Sequence, residues 1–159
     1  MKVMASRFIV SPSLLICSDI LRPFNVYPSS DSMSIRFNHT IVWCRDQQRS
    51  ATFLADILGL AAPTRFGPFM VVSLDDGASL DFDQVEGDVA FQHYAFLIDE
   101  DDFDSISARI AERGIQYWAD PGKQRAGEIN RHNGGRGFYF DSPDGHLLEV
   151  LTQPYAISS

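Results

Sequence analysis

Residues 70–82 read MVVSLDDGASLDF and residues 138–150 read FYFDSPDGHLLEV, and the two stretches align without a gap at an offset of 68. In each stretch an Asp-Gly pair separates two runs that are rich in apolar residues. An Asp-Gly pair between two such runs is a strong signal for a β-hairpin. The sequence therefore predicts the same hairpin twice, with Asp81 of the first copy equivalent to Glu149 of the second.

The repeat extends upstream of each hairpin. The triplet FNH at 37–39 is echoed 54 residues later by FQH at 91–93, and each triplet opens an apolar run that is typical of a strand. Acidic residues and an amphipathic helical pattern follow, and Gly59 and Gly114 stand where glycines end helices. Each half of the repeat therefore predicts a strand, a helix and then three strands.

These halves predict an α+β fold in which two βαβββ modules join edge to edge into a curved mixed sheet, with the helices outside and a cup inside. The expected domain spans 35–155, with module 1 at about 35–84 and module 2 at about 91–152. Residues 1–34 show no clear period and are interpreted as an N-terminal extension, either disordered or an extra strand. A Ser-Pro-Ser triplet at 11–13 interrupts the apolar run there, which disfavours a signal peptide.

Composition excludes several classes of partner. The chain has 159 residues, of which 45% are hydrophobic and 21% charged, as in ordinary globular proteins. Its net charge is −8 and only two residues are lysine, so neither nucleic acid nor an anionic membrane surface is an expected partner. Two cysteines, Cys17 and Cys44, are too few for a disulfide framework, which favours a reducing cytoplasm.

Four residues occupy equivalent places in the repeat: His39 and His93 on the first strand of each half, and Asp81 and Glu149 on the last. Glu149 alternates with apolar residues expected to pack on a helix, so its side chain is predicted to point into the cup. A single strand histidine is more often a hydrogen-bonded core residue. Two histidines and one or two carboxylates at equivalent positions instead indicate a ligand set for a divalent first-row metal.

The motifs FNHTI, FQHYAF and FYFDSPDGHLLEVL resemble those of the vicinal oxygen chelate superfamily, which includes glyoxalase I, bleomycin-resistance proteins, fosfomycin-resistance enzymes and extradiol dioxygenases. The resemblance implies a metal ion in the cup, bound by His39, His93 and Glu149. Asp81 falls where glyoxalase-type members place a fourth ligand, usually Glu.

Longer stretches, such as GPFMVVSLDDGASLDF and GGRGFYFDSPDGHLLEVLTQPY, are similar to a bacterial branch that includes the ring-cleaving dioxygenase of chartreusin biosynthesis. That resemblance implies Fe(II), molecular oxygen, an aromatic small-molecule substrate and a homodimer. Ligand type alone does not separate iron from manganese, nickel or zinc. The modules can pair within one chain or between two; in the exchanged case His39 and Asp81 of one chain face His93 and Glu149 of the other.

Three residues are predicted to act beside the metal. Asp81 is one methylene shorter than Glu, so we favour a three-ligand site in which Asp81 orients water or accepts a substrate proton. As a fourth ligand it would leave fewer open positions, which suits a lyase or isomerase. The resemblance implies that Tyr139 bonds a substrate oxygen and that His132 is an acid–base group. The alternatives are an ordinary strand tyrosine and an exposed loop histidine.

Substrate contacts are predicted from Phe69, Tyr94, Trp118 and Arg136, although core packing and loop solubility are alternative explanations for these residues. The glycine-rich loop within 121–136 is typical of a mobile lid. His146, beside the second Asp-Gly turn, is expected to be exposed.

Three functions fit these features. The first is an Fe(II)-dependent dioxygenase that opens or rearranges an aromatic diol or a polycyclic phenol. The second is a glyoxalase-like lyase or isomerase, or a thiol transferase of the fosfomycin type. The third is an antibiotic-sequestering binding protein, which the presence of the complete ligand set disfavours.

Overall fold

The structure, a computed structural model, describes residues 35–156, so the predictions for residues 1–34 lie outside the described part. Its elements are β1 (His39–Cys44), α1 (Gln47–Leu58), β2 (Thr64–Phe66), β3 (Phe69–Ser73), β4 (Ser79–Gln84), β5 (His93–Leu97), α2 (Glu100–Glu112), β6 (Tyr117–Trp118), β7 (Gly137–Asp141) and β8 (Leu147–Leu151). A short 3-10 helix at His132–Gly134 precedes β7. The order strand, helix, three strands occurs twice, as the repeat predicts.

Each module forms a four-stranded mixed sheet, with strand orders β1-β4-β3-β2 and β5-β8-β7-β6. The first strand of each module runs parallel to the last, and the other pairs are antiparallel. The predicted α+β class and the two βαβββ modules are thereby confirmed. The equivalent histidines lie on edge strands, and the equivalent carboxylates lie on the strands next to them.

Local signals in the sequence account for the helix ends. The side chain of Asp46 accepts a hydrogen bond of 2.9 Å from the backbone N–H of Arg49, which caps the start of α1. Gly59 ends this helix at φ 78°, where its N–H reaches the carbonyl of Ala55 at 2.8 Å. Three acidic residues in the first turn of α2 favour its N-terminus through the helix dipole. No helix in the described part of the chain is long and apolar enough to cross a membrane.

One hydrophobic core joins the two modules. The ring of Phe53, from α1, lies 6.4 Å from that of Phe140 in β7, and Phe103 of α2 lies 5.5 Å from Phe138 of the same strand. The buried core takes Val42, Val72, Leu80 and Phe82 from the first sheet, Leu148 and Val150 from the second, and apolar residues of both helices. Each sheet therefore gives one face to a shared interior and turns its other face outwards.

The two sheets do not pair with each other between residues 35 and 156. β1 and β5 are both edge strands there, bonded only to β4 and β8. Trp43 on β1 is 41% exposed and Leu97 on β5 is 61% exposed, and Phe37 and Phe91, which precede these two strands in the sequence, are also exposed. Apolar residues beside an unpaired strand edge mark a surface that can pair with another chain.

The turn at Asp144 packs against module 1. Its carboxylate accepts a hydrogen bond of 2.9 Å from the backbone N–H of Arg45 and another from the hydroxyl of Ser50 in α1. The equivalent residue of module 1, Asp76, bonds only locally, to the N–H of Ala78 at 3.0 Å. The two copies of the hairpin are therefore not interchangeable.

His146, next to this turn, is 2% exposed, so the prediction that it is exposed was wrong. Its Nδ1 accepts from the backbone N–H of Gln92 at 3.2 Å, and its Nε2 donates to the carbonyl of Trp43 at 2.8 Å. The physical reason is the contact between modules, which buries the turn against β1. His146 thus connects the two modules through backbone groups.

We expect His146→Ala to lower the free energy of unfolding by about 1–3 kcal/mol, because both hydrogen bonds are lost in a buried place. Urea denaturation of the metal-free protein, at one fixed protein concentration, measures the change. His132→Ala is the matched control, since His132 is exposed and its loss should cost less than about 0.5 kcal/mol. Equal losses in the two variants would contradict the role of His146.

Candidate metal centre

Two of the predicted metal ligands, His93 and Glu149, are neighbours on the outward face of the second sheet. The Nε2 atom of His93 lies 3.3 Å from Oε2 of Glu149. The register pairs Ala95 of β5 with Glu149, and His93 precedes Ala95 by two residues, so it shares that face. Glu149 is 1% exposed, so its carboxylate is buried. A buried carboxylate requires compensating partners.

The ring of His93 is oriented by the backbone. Its Nδ1 lies 3.0 Å from the carbonyl oxygen of Leu147, which can only accept, so the Nδ1 position carries the hydrogen. Without a proton or a metal ion, Nε2 would be an acceptor that faces the carboxylate of Glu149. Two acceptors in contact need a cation between them, either a proton or a metal ion.

The chemistry of this pair fits a divalent metal. Metal-ligating histidines usually donate their second ring N–H to a carbonyl or a carboxylate, as His93 does to Leu147. Two donor atoms that each lie about 2.1 Å from one metal ion, at a right angle to each other, are about 3 Å apart. The separation of 3.3 Å between His93 and Glu149 is close to that value.

Two tyrosines complete the surroundings of Glu149. The hydroxyl of Tyr155 donates to Oε1 of Glu149 at 2.6 Å, and the hydroxyl of Tyr139 lies 2.7 Å from that of Tyr155. The ring of Tyr139 stacks on His93, with centroids 6.0 Å apart and an interplanar angle of 29°. Burial, followed by the hydrogen bonds to Tyr155 and Glu149, raises the pKa of Tyr139, and burial also raises the pKa of Tyr155. Both hydroxyls therefore stay protonated at neutral pH and act as donors.

His39 and Asp81 lie elsewhere, on the outward face of the first sheet. The exposed ring of His39 bonds Oδ1 of Asn38 through Nδ1 at 2.7 Å, which leaves Nε2 free. Asp81 is buried and accepts from the hydroxyl of Ser79 at 2.7 Å. Within residues 35–156, no three His, Cys, Asp or Glu side chains come together to hold one metal ion. One chain thus brings together two of the predicted ligands.

Two predicted substrate contacts lie on the outward faces. Trp118 pairs with Tyr139 across strands, and Tyr139 pairs with Glu149, so the three residues form one row. The ammonium group of Lys123 lies 4.9 Å from the centroid of the Trp118 ring. Phe69 is half-buried and lies on the same face of its sheet as Asp81. Each sheet therefore carries an aromatic residue on the outward face that holds its predicted metal-site residues.

Tyr94 and His132 occupy different surroundings. Tyr94 lies on the helix-packed face of the second sheet, where its ring meets His146 edge-on at 5.8 Å and its hydroxyl donates to Gln92. The structure does not bring Tyr94 to Glu149. His132 lies in the exposed 3-10 helix, with its ring 6.4 Å from that of Tyr155.

The guanidinium group of Arg136 is held on α2. It forms ion pairs with Glu100 and Asp104 and lies 4.1 Å above the ring of Phe103. The hydrogen bonds that Arg136 donates to Asp104 and Glu100 raise its pKa. The structure therefore directs Arg136 towards the helix and not towards Glu149.

Sequence reasoning missed Tyr155. It lies beyond the repeated segments, so no equivalent position in module 1 draws attention to it. A tyrosine two residues after a polar Gln in a C-terminal stretch carries no chemical signal of its own. Its role depends on where the tail runs in three dimensions.

Comparison with known proteins gives the family. Residues 36–150 match the family described as the glyoxalase/bleomycin resistance protein/dioxygenase superfamily. The chain belongs to this superfamily. The structure of oxidase ChaP-H1 has 58% sequence identity and a TM-score of 0.76, and the match covers 77% of this chain and 99% of that one. Oxidase ChaP-H2 has 54% identity and a TM-score of 0.76, with 78% and 98% covered.

A second superfamily member has a different chemistry. The glutathione transferase FosA of Serratia marcescens is 33% identical over 119 residues, which cover 71% of this chain and 77% of that protein. The predicted superfamily is confirmed, and the two ChaP oxidases agree with the predicted branch.

We expect Glu149→Gln to destabilise the metal-free protein less than Glu149→Ala does, because Gln keeps both hydrogen-bonding positions. The amide nitrogen of Gln can donate to Nε2 of His93, while its oxygen still accepts from Tyr155. Glu149→Ala removes both contacts and leaves a cavity, which should cost about 1–3 kcal/mol. Urea denaturation at pH 8 distinguishes the two variants. Equal destabilisation by Gln and by Ala would contradict the contact between two acceptors.

Proposed function

We propose that this protein is an oxidoreductase that uses Fe(II) and molecular oxygen to open or rearrange an aromatic diol or polycyclic phenolic substrate. The observation that carries the proposal is the His93–Glu149 pair in a chain that is 58% identical to oxidase ChaP-H1. With a second imidazole, this pair makes a set of two histidines and one carboxylate, which is typical of non-haem Fe(II) oxygenases. A cytoplasmic location, favoured by cysteine usage, is part of the proposal.

In this proposal the third ligand, His39, comes from a second chain. His39 lies on the unpaired edge strand β1, and His93 lies on the equivalent edge strand β5. Pairing these edges between two chains would cover Trp43 and Leu97 and bring the two histidines to one place. A twofold dimer would contain two such sites.

Each side chain around the metal site would have a separate role. Bound Fe(II) would supply a Lewis acid with open coordination positions and the redox chemistry that dioxygen use requires. Glu149 supplies one negative charge, and Leu147 fixes the orientation of His93. Tyr139 stays neutral and can donate a hydrogen bond, because its pKa is raised.

The first module of the other chain would complete the pocket in this arrangement. Asp81 shares a sheet face with Phe69, and the adjacent strand carries His39 on that face. Phe69 and Trp118 would form aromatic walls from the two chains, which suits a planar substrate. Asp81 would accept the proton of a substrate hydroxyl group.

A thiol transferase is the second candidate, because the chain is 33% identical to the glutathione transferase FosA. Such an enzyme would act without oxygen and would need a thiol co-substrate. Release of product from fosfomycin and glutathione under anaerobic conditions would favour it. A sequestering protein would bind its drug equally well without metal.

Mixing two inactive variants tests whether the site needs two chains. A His39→Ala chain keeps His93 and Glu149, and a Glu149→Ala chain keeps His39. Half of the dimers in an equal, fully exchanged mixture are mixed, and each has one complete ligand set. We therefore expect the mixture to recover about a quarter of the wild-type sites, since a twofold dimer has two. Anaerobic titration with Fe(II) counts tight sites per chain.

The matched control is an equal mixture of His93→Ala and Glu149→Ala chains. Both substitutions affect the same module, so this mixture should recover no tight site. If the site lies within one chain, neither mixture recovers binding. Recovery in the first mixture alone supports the proposed assembly.

Oxygen uptake tests the reaction. The Fe(II)-loaded protein should consume oxygen with a polycyclic ortho-diphenol, and His93→Ala should reduce uptake to the background rate because a ligand is lost. An oxygen electrode measures the rate, with free Fe(II) as the blank. Turnover of the diphenol at the same rate in the absence of oxygen would contradict a dioxygenase.

A further inference from the structure

The chain that follows β8 returns to the outward face of the second sheet. There Tyr155, which is 48% exposed, places its hydroxyl 2.6 Å from Oε1 of Glu149. The other carboxylate oxygen, Oε2, faces Nε2 of His93 at 3.3 Å. The two oxygens of Glu149 therefore have different partners, and only Oε2 is directed at another candidate ligand.

Contacts with the loop at residues 133–136, which precedes β7, hold residues 152–155 in place. We call residues 152–155 the tail. The backbone N–H of Thr152 donates to the carbonyl of Arg136 at 2.9 Å, and the N–H of Arg136 donates to the hydroxyl of Thr152 at 2.9 Å. The side-chain amide of Asn133 donates to the carbonyl of Pro154 at 3.0 Å. Three hydrogen bonds thus anchor the segment that presents Tyr155.

Gly135 permits the close approach of loop and tail. A Cβ atom added there would lie 2.7 Å from Cγ of Gln153 and 2.9 Å from the hydroxyl oxygen of Thr152. Separations below 3.0 Å force something to shift. A side chain at this position would therefore displace the tail without changing any group that contacts Glu149.

The hydrogen bonds around Glu149 run in one direction. A carboxylate only accepts, so the proton of Tyr155 is directed to Glu149, and the proton of Tyr139 is then directed to the oxygen of Tyr155. Tyr139 is 4% exposed and is fixed by its stacking on His93. The tail tyrosine is therefore held between a fixed donor and a fixed acceptor.

We propose that Tyr155 is a positioning residue that restricts Glu149 to binding metal through Oε2 alone, and that the loop at 133–136 maintains this arrangement. The inference rests on the proposed metal site and specifies its coordination. Ligation through one oxygen, with two histidines, leaves about three positions open on a six-coordinate ion. Chelation by both oxygens would leave about two, too few for a diol and one further small ligand.

The test uses full-length, metal-free protein titrated anaerobically with Co(II), whose visible absorption reports its ligands and their geometry. Tyr155→Phe removes the donor, and Gly135→Ala displaces the tail. Tyr117→Phe is the matched control, because Tyr117 lies on the opposite face of the same sheet, with its ring 5.4 Å from that of Phe138. Thermal melting followed by circular dichroism verifies that each variant is folded.

We expect Tyr155→Phe and Gly135→Ala to raise the Kd for Co(II) about tenfold. The visible spectrum of the bound ion should change, since a second carboxylate oxygen would replace one of its other ligands. Tyr117→Phe should change neither quantity. A loss of stability alone would not move the spectrum of the bound ion.

The alternative outcomes are distinct. If Tyr155→Phe matches Tyr117→Phe in Kd and in spectrum, the role of Tyr155 is overturned while the metal site stands. If Tyr155→Phe changes the Kd and the spectrum but Gly135→Ala changes neither, the loop has no part in holding the tail. If the wild type binds no Co(II), the metal site and the role of Tyr155 both fall.

Discussion

The contact of Phe53 with Phe140 joins an α-helix of one module to a β-strand of the other and so ties two separate sheets to one core. Each sheet buries one face in that core. The remaining face and the edge of the first strand are left outside it. The positions of His39, His93, Asp81 and Glu149 on outward faces, and the separation of the two histidines within a chain, both follow from this packing.

Burial of Glu149 removes its carboxylate from water, and the chain compensates only part of the lost hydration. A carboxylate that is 1% exposed loses most of its hydration, and replacing a buried polar pair with apolar residues often stabilises a protein. In the described part of the chain, no arginine or lysine forms an ion pair with Glu149. The partners are one hydroxyl and one imidazole, which stabilise a carboxylate only partly. This arrangement is typical of a site that is completed by a ligand.

The repeat made much of the fold predictable. Hairpin turns, helix caps and the alternation of apolar residues are local signals, and they placed every strand and helix of both modules in order. Alternation along β8 separated Glu149 from the residues that pack on the helices. Sequence reasoning left open whether the modules pair within one chain or between two, because the same apolar faces could pack in either arrangement.

Errors arose where a residue's partner lies far along the chain. His146 was expected to be exposed because it follows a turn, but the turn is buried against Trp43, 103 residues away. The structure also pairs the guanidinium group of Arg136 with two carboxylates of α2, a contact that the sequence of its glycine-rich loop does not predict. Tyr155 has no counterpart in the repeat. Such contacts are set by tertiary packing, which one sequence without homologues does not encode in any local pattern.

The unpaired edges also bear on how readily copies of this chain aggregate. A strand edge flanked by Trp43 or by Leu97 can template pairing with any passing strand, which leads to aggregation. Two features oppose this outcome. The net charge of −8 makes like chains repel at long range, and Asp81 and Asp83 lie on the strand next to the first edge. The acidity of this protein therefore favours colloidal stability, because it opposes the close approach that edge pairing requires.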